Sequence, residues 1–143
     1  MIKIVLERVD SAFGFEAKDA MGHIVRTDTS PEDGGHNFGV RPMQLVLMGL
    51  GSCSGIDVLS IMNKQRQDVI GLSISIEGER EAEKIPSLWK DIHMVFEFSG
   101  SIDMDKAKKA CSLSVEKYCS VAETLRRAGA AITWNVVVKA PDS

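Results

Sequence analysis

Neither sign of charge dominates this 143-residue chain: 17 basic against 20 acidic residues leave a net charge of −3. So mild an acidity gives no electrostatic footing for nucleic acid, and no such partner is expected. Runs of like charge are missing, which removes a reason to expect an interaction tail, and no repeat is evident. The opening MIKIVLERVD lacks the long apolar core and small-residue cleavage site of a secretory signal. Cysteine is scarce and odd in number, with only Cys53, Cys111 and Cys119. That usage fits a reducing, cytoplasmic setting in which free thiols are the default. Hydrophobic residues make up an ordinary 44%, and the length suits a single domain over residues 1–143 with its own core.

The pattern along the chain is mixed. Ile2, Ile4 and Leu6 alternate with Lys3 and Glu7, which predicts a strand with one wet face. Two short strands follow within 14–30, turning near Ala20-Met21-Gly22. Residues 31–42, PEDGGHNFGVRP, are rich in turn formers and predict one long loop, either a functional lid or a passive connector. From Pro42 to about Gln65 the sequence is apolar nearly all round, as in a helix buried on most faces. Leu72, Ile74 and Ile76, then Ile92, Met94, Phe96 and Phe98, define the inner faces of an antiparallel strand pair. Ala107, Cys111, Val115 and Tyr118 set the inward stripe of a helix over 104–118, capped by Asp103. A short helix from Val121 to about Ala128 ends at Gly129. Ile132, Trp134, Val136 and Val138 form a last strand. The order predicts an α+β fold, with helices packed on a largely antiparallel sheet.

The stretch LMGLGSCSGIDVLSIM, residues 47–62, bears on function. A membrane span needs about 20 apolar residues. The window 43–62 holds Gln44, three serines and Asp57, and that carboxylate would be costly in lipid. No membrane association is expected. The glycine spacing G-x-G-x-x-x-G is one residue longer than a dinucleotide fingerprint, and no Lys-Ser/Thr follows it as in a P-loop. The alternating strand at 72–77 also differs from the doubly buried strand a dinucleotide fold requires. A buried helix opening at Pro42 remains. Gly49, Gly51 and Gly55 weaken it by roughly 1 kcal/mol each against alanine, so close approach by another backbone or helix is expected there, through tight internal packing, a subunit interface or room for a substrate beside Cys53.

Each thiol has a bland reading as a small buried apolar residue. Cys111, on the apolar face of its helix, is read that way. Cys119 precedes Ser120 and Glu123, a capping-box spacing. With Ser120 as N-cap, Cys119 sits beside the positive end of the helix dipole, which can favour a thiolate. Cys53 lies mid-helix in apolar sequence and needs a cationic or hydrogen-bonding neighbour to react. No metal site is expected: Cys111 and Cys119 are eight apart and no histidine is close in sequence. His23, His36 and His93 read as surface residues.

RPMQLVLMGLGSCSGIDVLSIM resembles the central helix of the OsmC/Ohr family, the osmotically induced and organic-hydroperoxide-resistance proteins. VEKYCSVAETLRRAGAAITWNVVV is similar to that family's second cysteine at a helix junction, followed by a short helix and a final strand. The likeness runs from about Phe38 to Val138. It implies an intertwined α+β homodimer with two central helices between sheets. It also implies a thiol peroxidase acting on organic hydroperoxides in an oxidative stress response. Cys53 would be the peroxidatic residue, passing through a sulfenic acid. Cys119 would resolve it as a Cys53–Cys119 disulfide, which an external dithiol reduces. No flavin, haem or metal cofactor is implied. The family's active members carry a glutamate ten residues before the first cysteine, where this chain has Met43, and the glutamate works with an arginine. Arg41, Gln44 and Arg26 are the residues available for such substrate positioning. Met43 keeps two alternatives open: a non-catalytic or small-molecule-binding relative, and a thiol redox sensor.

Overall fold

A computed structural model describes residues 1–140 of the chain. Its internal contacts divide it into two compact units, Met1–Val46 and Leu47–Ser143, the boundary falling inside the long helix. The first unit is a meander of three short antiparallel strands, β1 (Val5–Arg8), β2 (Phe15–Lys18) and β3 (Ile24–Thr27). All four β1 residues are exposed, so the face read as its inner one is uncovered in the single chain.

The long loop after β3 is fastened from within. Asp28, 2% exposed, accepts backbone hydrogen bonds from Thr29 (2.8 Å), His36 (2.9 Å) and Phe38 (3.1 Å). These bonds, His36's foremost, hold its carboxyl below the usual carboxylate range. Val40 then rejoins β3 through two backbone bonds, to Asp28 and Arg26. One buried carboxylate thus takes up donors that a loop rich in glycine would otherwise leave to water.

The second unit carries the core. Helix α1 (Pro42–Lys64) leads into it, followed by β4 (Gly71–Arg80) and β5 (Trp89–Ser99). These strands pair antiparallel as expected, with Leu72 opposite Phe98, Ile74 opposite Phe96 and Ile76 opposite Met94. Helices α2 (Met104–Leu113) and α3 (Ser120–Arg127) precede β6 (Ala131–Lys139), which lies beside β5 in parallel. The long connection through two helices permits that parallel return, which a hairpin cannot make. Met94, Phe96 and Phe98 are fully buried with Leu50, Val58 and Met62 of α1 and Ala107, Ala110 and Cys111 of α2.

Two expectations need correction. α1 is not buried on most faces: Leu50, Ser54, Val58 and Met62, one residue per turn, are buried, whereas Met48, Ile56 and Leu59 are exposed. The helix is apolar on both sides but finds cover on one. By length and composition it could cross a membrane, with a mean hydropathy of 1.8. Here, however, it serves as the core helix of a globular unit, packed on β4. The second correction concerns its glycines. A Cβ at Gly51 or Gly55 would stand 3.0 Å from the tip of Ile76 or Ile74, so these two admit a strand's side chains; at Gly49 nothing lies within 4 Å.

Two substitutions test that contact. Gly55→Ala gains about 1 kcal/mol of helix propensity and asks only the end of Ile74 to shift, so its stability in urea should match or slightly exceed wild type. Gly55→Leu should lose about 1–3 kcal/mol through overpacking. Equal stability of the two variants would contradict the close approach of α1 to β4.

Candidate active site

The helix predicted over 104–118 begins as expected, with the Asp103 carboxylate accepting from the Asp105 backbone N–H at 3.4 Å. It departs from α-geometry after Leu113. Residues Ser114–Tyr118 form a wide turn of π-helical type, closed by the Cys119 N–H donating to the Ser114 carbonyl at 2.7 Å. An i→i−5 bond takes up one residue more than an α-turn and delays the helical phase. Tyr118, expected on the inward stripe, is 53% exposed, and Cys119 takes the inward place at 1% exposure. Arg126 of α3 reaches back and donates to the Val115 carbonyl inside the wide turn.

Cys119 is also the N-cap of α3, the position predicted for Ser120. Its Sγ accepts the Ala122 backbone N–H at 3.4 Å and the Ser54 hydroxyl at 3.2 Å. Ser54 belongs to α1, directly after Cys53. Its carbonyl accepts from the Ser114 hydroxyl at 3.0 Å, so α1 and the wide turn are tied by two bonds in a buried seam. The same Ser114 hydroxyl lies 3.4 Å from Oδ2 of Asp57.

These bonds bring three reactive groups together. The Sγ atoms of Cys53 and Cys119 and a carboxylate oxygen of Asp57 all lie within 4.8 Å of one another. All three cysteines are free thiols. Cys53 is half-exposed, so one thiol of the pair is reachable and the other enclosed.

Burial pushes the Cys119 thiol above its usual range and outweighs the opposing bonds from Ser54 and Ala122; the Cys53 thiol beside it acts in the same upward direction. The helix-dipole expectation for Cys119 is therefore overturned: desolvation wins, and the residue rests as a thiol. Cys111 is fully buried, and burial alone pushes it up to about 12. Its structural assignment fits that inert setting.

Of the residues read from sequence, the structure joins Cys53 and Cys119 in the second unit. Arg26, Arg41 and Gln44 lie in the first. Arg26 is engaged there, paired with Glu16 at 3.2 Å and resting over the Phe38 ring at 5.6 Å. Gln44 is exposed and Arg41 half-buried. Sequence reading missed Ser54, Asp57 and Ser114. The signal was present, since Ser54 and Asp57 are polar side chains on an apolar helix, one and four residues after a cysteine. Two soft sulfurs and one hard oxygen are also a donor set that zinc accepts, a possibility that cysteine spacing alone did not reveal.

The profile of the OsmC-like protein family matches residues 33–135. The chain belongs to the OsmC-like family. Protein YhfA of Escherichia coli K12 is 40% identical to it over 115 residues, 80% of this chain and 82% of YhfA. The crystal structure of a hypothetical protein from Aquifex aeolicus superposes with a TM-score of 0.80 at 31% identity, covering 97% and 98% of the two chains. An organic hydroperoxide resistance protein OsmC from Legionella pneumophila has a TM-score of 0.73 at 14% identity, covering 96% of each chain, and shares the fold. The antiparallel strands and long helix described above are thus an OsmC-like α+β architecture. Within that architecture this chain seats its second cysteine by a wide turn and a helix cap.

Cys111 makes the pH dependence of stability testable. Its folded-state pKa of about 12 exceeds the ordinary value of 9.0. The buried thiol's contribution is therefore complete below pH 9 and is lost as pH rises from there towards 12, because the unfolded chain ionises first. Cys111→Ala should be less stable than wild type at pH 8, with a gap that narrows by pH 10.5 in urea denaturation. A gap that stays constant would contradict the assignment.

Proposed function

We propose that this OsmC-like protein is a cytoplasmic thiol peroxidase that reduces organic hydroperoxides. The observation that carries this reading is the dithiol: two sulfurs within 4.8 Å, one half-exposed and one buried. In the first step the Cys53 sulfur attacks the distal peroxide oxygen. The O–O bond breaks, an alcohol leaves, and Cys53 becomes a sulfenic acid. In the second, the Cys119 sulfur attacks that of Cys53, the S–O bond breaks and water leaves. The resulting Cys53–Cys119 disulfide is returned to two thiols by an external dithiol.

The arrangement supports this order. Peroxide can reach a half-exposed thiol, while a buried partner is protected from direct oxidation yet stands ready to trap the sulfenic acid. Apolar residues around Cys53 favour organic hydroperoxides over hydrogen peroxide. Arg41 and Gln44, near the start of α1, are proposed substrate contacts; Arg26 would first have to leave Glu16. The exposed apolar residues Met48, Ile56 and Leu59 support a homodimer in which a second copy covers that face of α1.

Wild-type protein with dithiothreitol should consume cumene hydroperoxide with multiple turnovers. Cys53→Ser should fall to the rate of the reductant alone. Cys119→Ser should complete the first step and accumulate a sulfenic acid that dimedone traps. No consumption by the reduced wild type would reject the peroxidase reading and favour the redox-sensor or non-catalytic alternatives.

A further inference from the structure

Asp57 is the one charged residue of α1 before Lys64. It follows Cys53 by four residues, so the two side chains share a helix face. A carboxylate oxygen of Asp57 lies within 4.8 Å of both sulfurs. The hydrogen bond it accepts from the Ser114 hydroxyl is a long one, 3.4 Å. Among the described residues no lysine, arginine or histidine forms an ion pair with it. Asp57 also lines a cleft of about 610 Å³ together with Ile61, Lys64, Lys109, Leu113 and Tyr118. The acid thus belongs both to the dithiol cluster and to the lining of an open cleft.

A carboxylate beside a thiol does not stabilise the thiolate, because like charges repel. It can, however, accept the thiol's proton as the sulfur reacts. A general base needs hydrogen-bonding reach, directly or through one water, and the separation allows either. The neighbouring charged and titratable groups do not supply an alternative base. Lysine and tyrosine, the residue types of Lys64, Lys109 and Tyr118 in that cleft, act as bases only well above neutral pH.

We propose that Asp57 is the proton acceptor and donor of the Cys53–Cys119 pair. In the peroxide step, which rests on the peroxidase reading, the Cys53 sulfur bonds to the distal oxygen and its S–H proton passes to Asp57. The O–O bond breaks and its electron pair leaves on the alkoxide, which takes the proton from Asp57 and departs as alcohol. In the closing step Asp57 accepts the Cys119 proton while the sulfurs join, then returns it to the departing hydroxide as water forms. One residue serves both steps because both sulfurs lie within its reach. Oxidised glutathione can drive the closing chemistry without a peroxide: one protein sulfur breaks the glutathione S–S bond and releases one glutathione thiol, and the other then attacks the mixed disulfide, joins the two protein sulfurs and releases the second glutathione.

Asp57→Asn keeps the shape and removes the base, and Asp57→Glu restores it. Two rates are read on the full-length reduced protein: consumption of cumene hydroperoxide with dithiothreitol, and closure of the Cys53–Cys119 disulfide by oxidised glutathione, followed by mass. At pH 7 Asp57→Asn should be slower by about 100-fold, the lower end of general-base effects, with a substantial part recovered in Asp57→Glu. The deficit should shrink as pH rises into the alkaline range, where a thiol can lose its proton to solvent without a neighbouring base. Damaged packing would leave the deficit unchanged with pH. If Asp57→Asn folds poorly, Asp57→Ala with and without added formate decides: rescue supports the assignment and failure to rescue overturns it. Closure by Asp57→Asn at the wild-type rate, or a deficit that does not vary with pH, also overturns it. A wild type inert to hydroperoxide but with Asp57-dependent closure would reject the peroxidase reading and keep Asp57 as the proton carrier.

Discussion

A single hydrogen bond, from the Cys119 N–H to the Ser114 carbonyl, sets the position of everything reactive in this protein. Were the helix over 104–118 to continue in α-form, Tyr118 would point inward and Cys119 would follow it round the helix. The wide turn shifts the phase by about one residue and faces the sulfur of Cys119 towards α1. Ser54 meets that sulfur, Ser114 meets the Ser54 carbonyl, and Cys53 comes into place beside them. A local departure from ideal helix geometry thus creates a contact between residues 66 apart in sequence. Wide turns of this kind are often found at functional sites, and here the geometric reason is visible.

The same seam makes the two thiols unequal. Cys119 is enclosed, and desolvation holds it protonated despite two hydrogen bonds that favour its charge. Cys53 sits on the half-exposed side of the helix. The two thiols therefore differ in access, Cys53 being reachable and Cys119 enclosed. The acid close to the sulfurs is Asp57, four residues after the first cysteine. An acid placed there serves proton transfer better than thiolate stabilisation, because its charge opposes that of a thiolate.

Much of the architecture was legible in the sequence because it rests on simple periodicities. Alternation at 72–76 and 92–98 gave the antiparallel strand pair and its inner faces, and Pro42 marked the start of the long helix. The parallel placement of β6 was not legible, since pairing across two helices leaves no local pattern. Nor was the exposure of Met48, Ile56 and Leu59: an apolar residue looks the same whether its own chain or a second copy covers it. The dithiol itself was visible only through the family resemblance. Its surroundings were not, because helical periodicity placed Tyr118 inside and the capping pattern favoured Ser120 over Cys119. In each case a longer-range contact with α1 overrode a reasonable local rule.

The central claim is that folding pairs Cys53 with Cys119 and leaves Cys111 out. Stoichiometric oxidation of the native, reduced protein followed by proteolysis and peptide mass mapping tests it directly. The account predicts one intramolecular link joining the peptides of Cys53 and Cys119, with Cys111 recovered as a free thiol. A link through Cys111, a bond between chains through Cys53, or Cys53 driven to sulfinic acid while Cys119 stays reduced would contradict it.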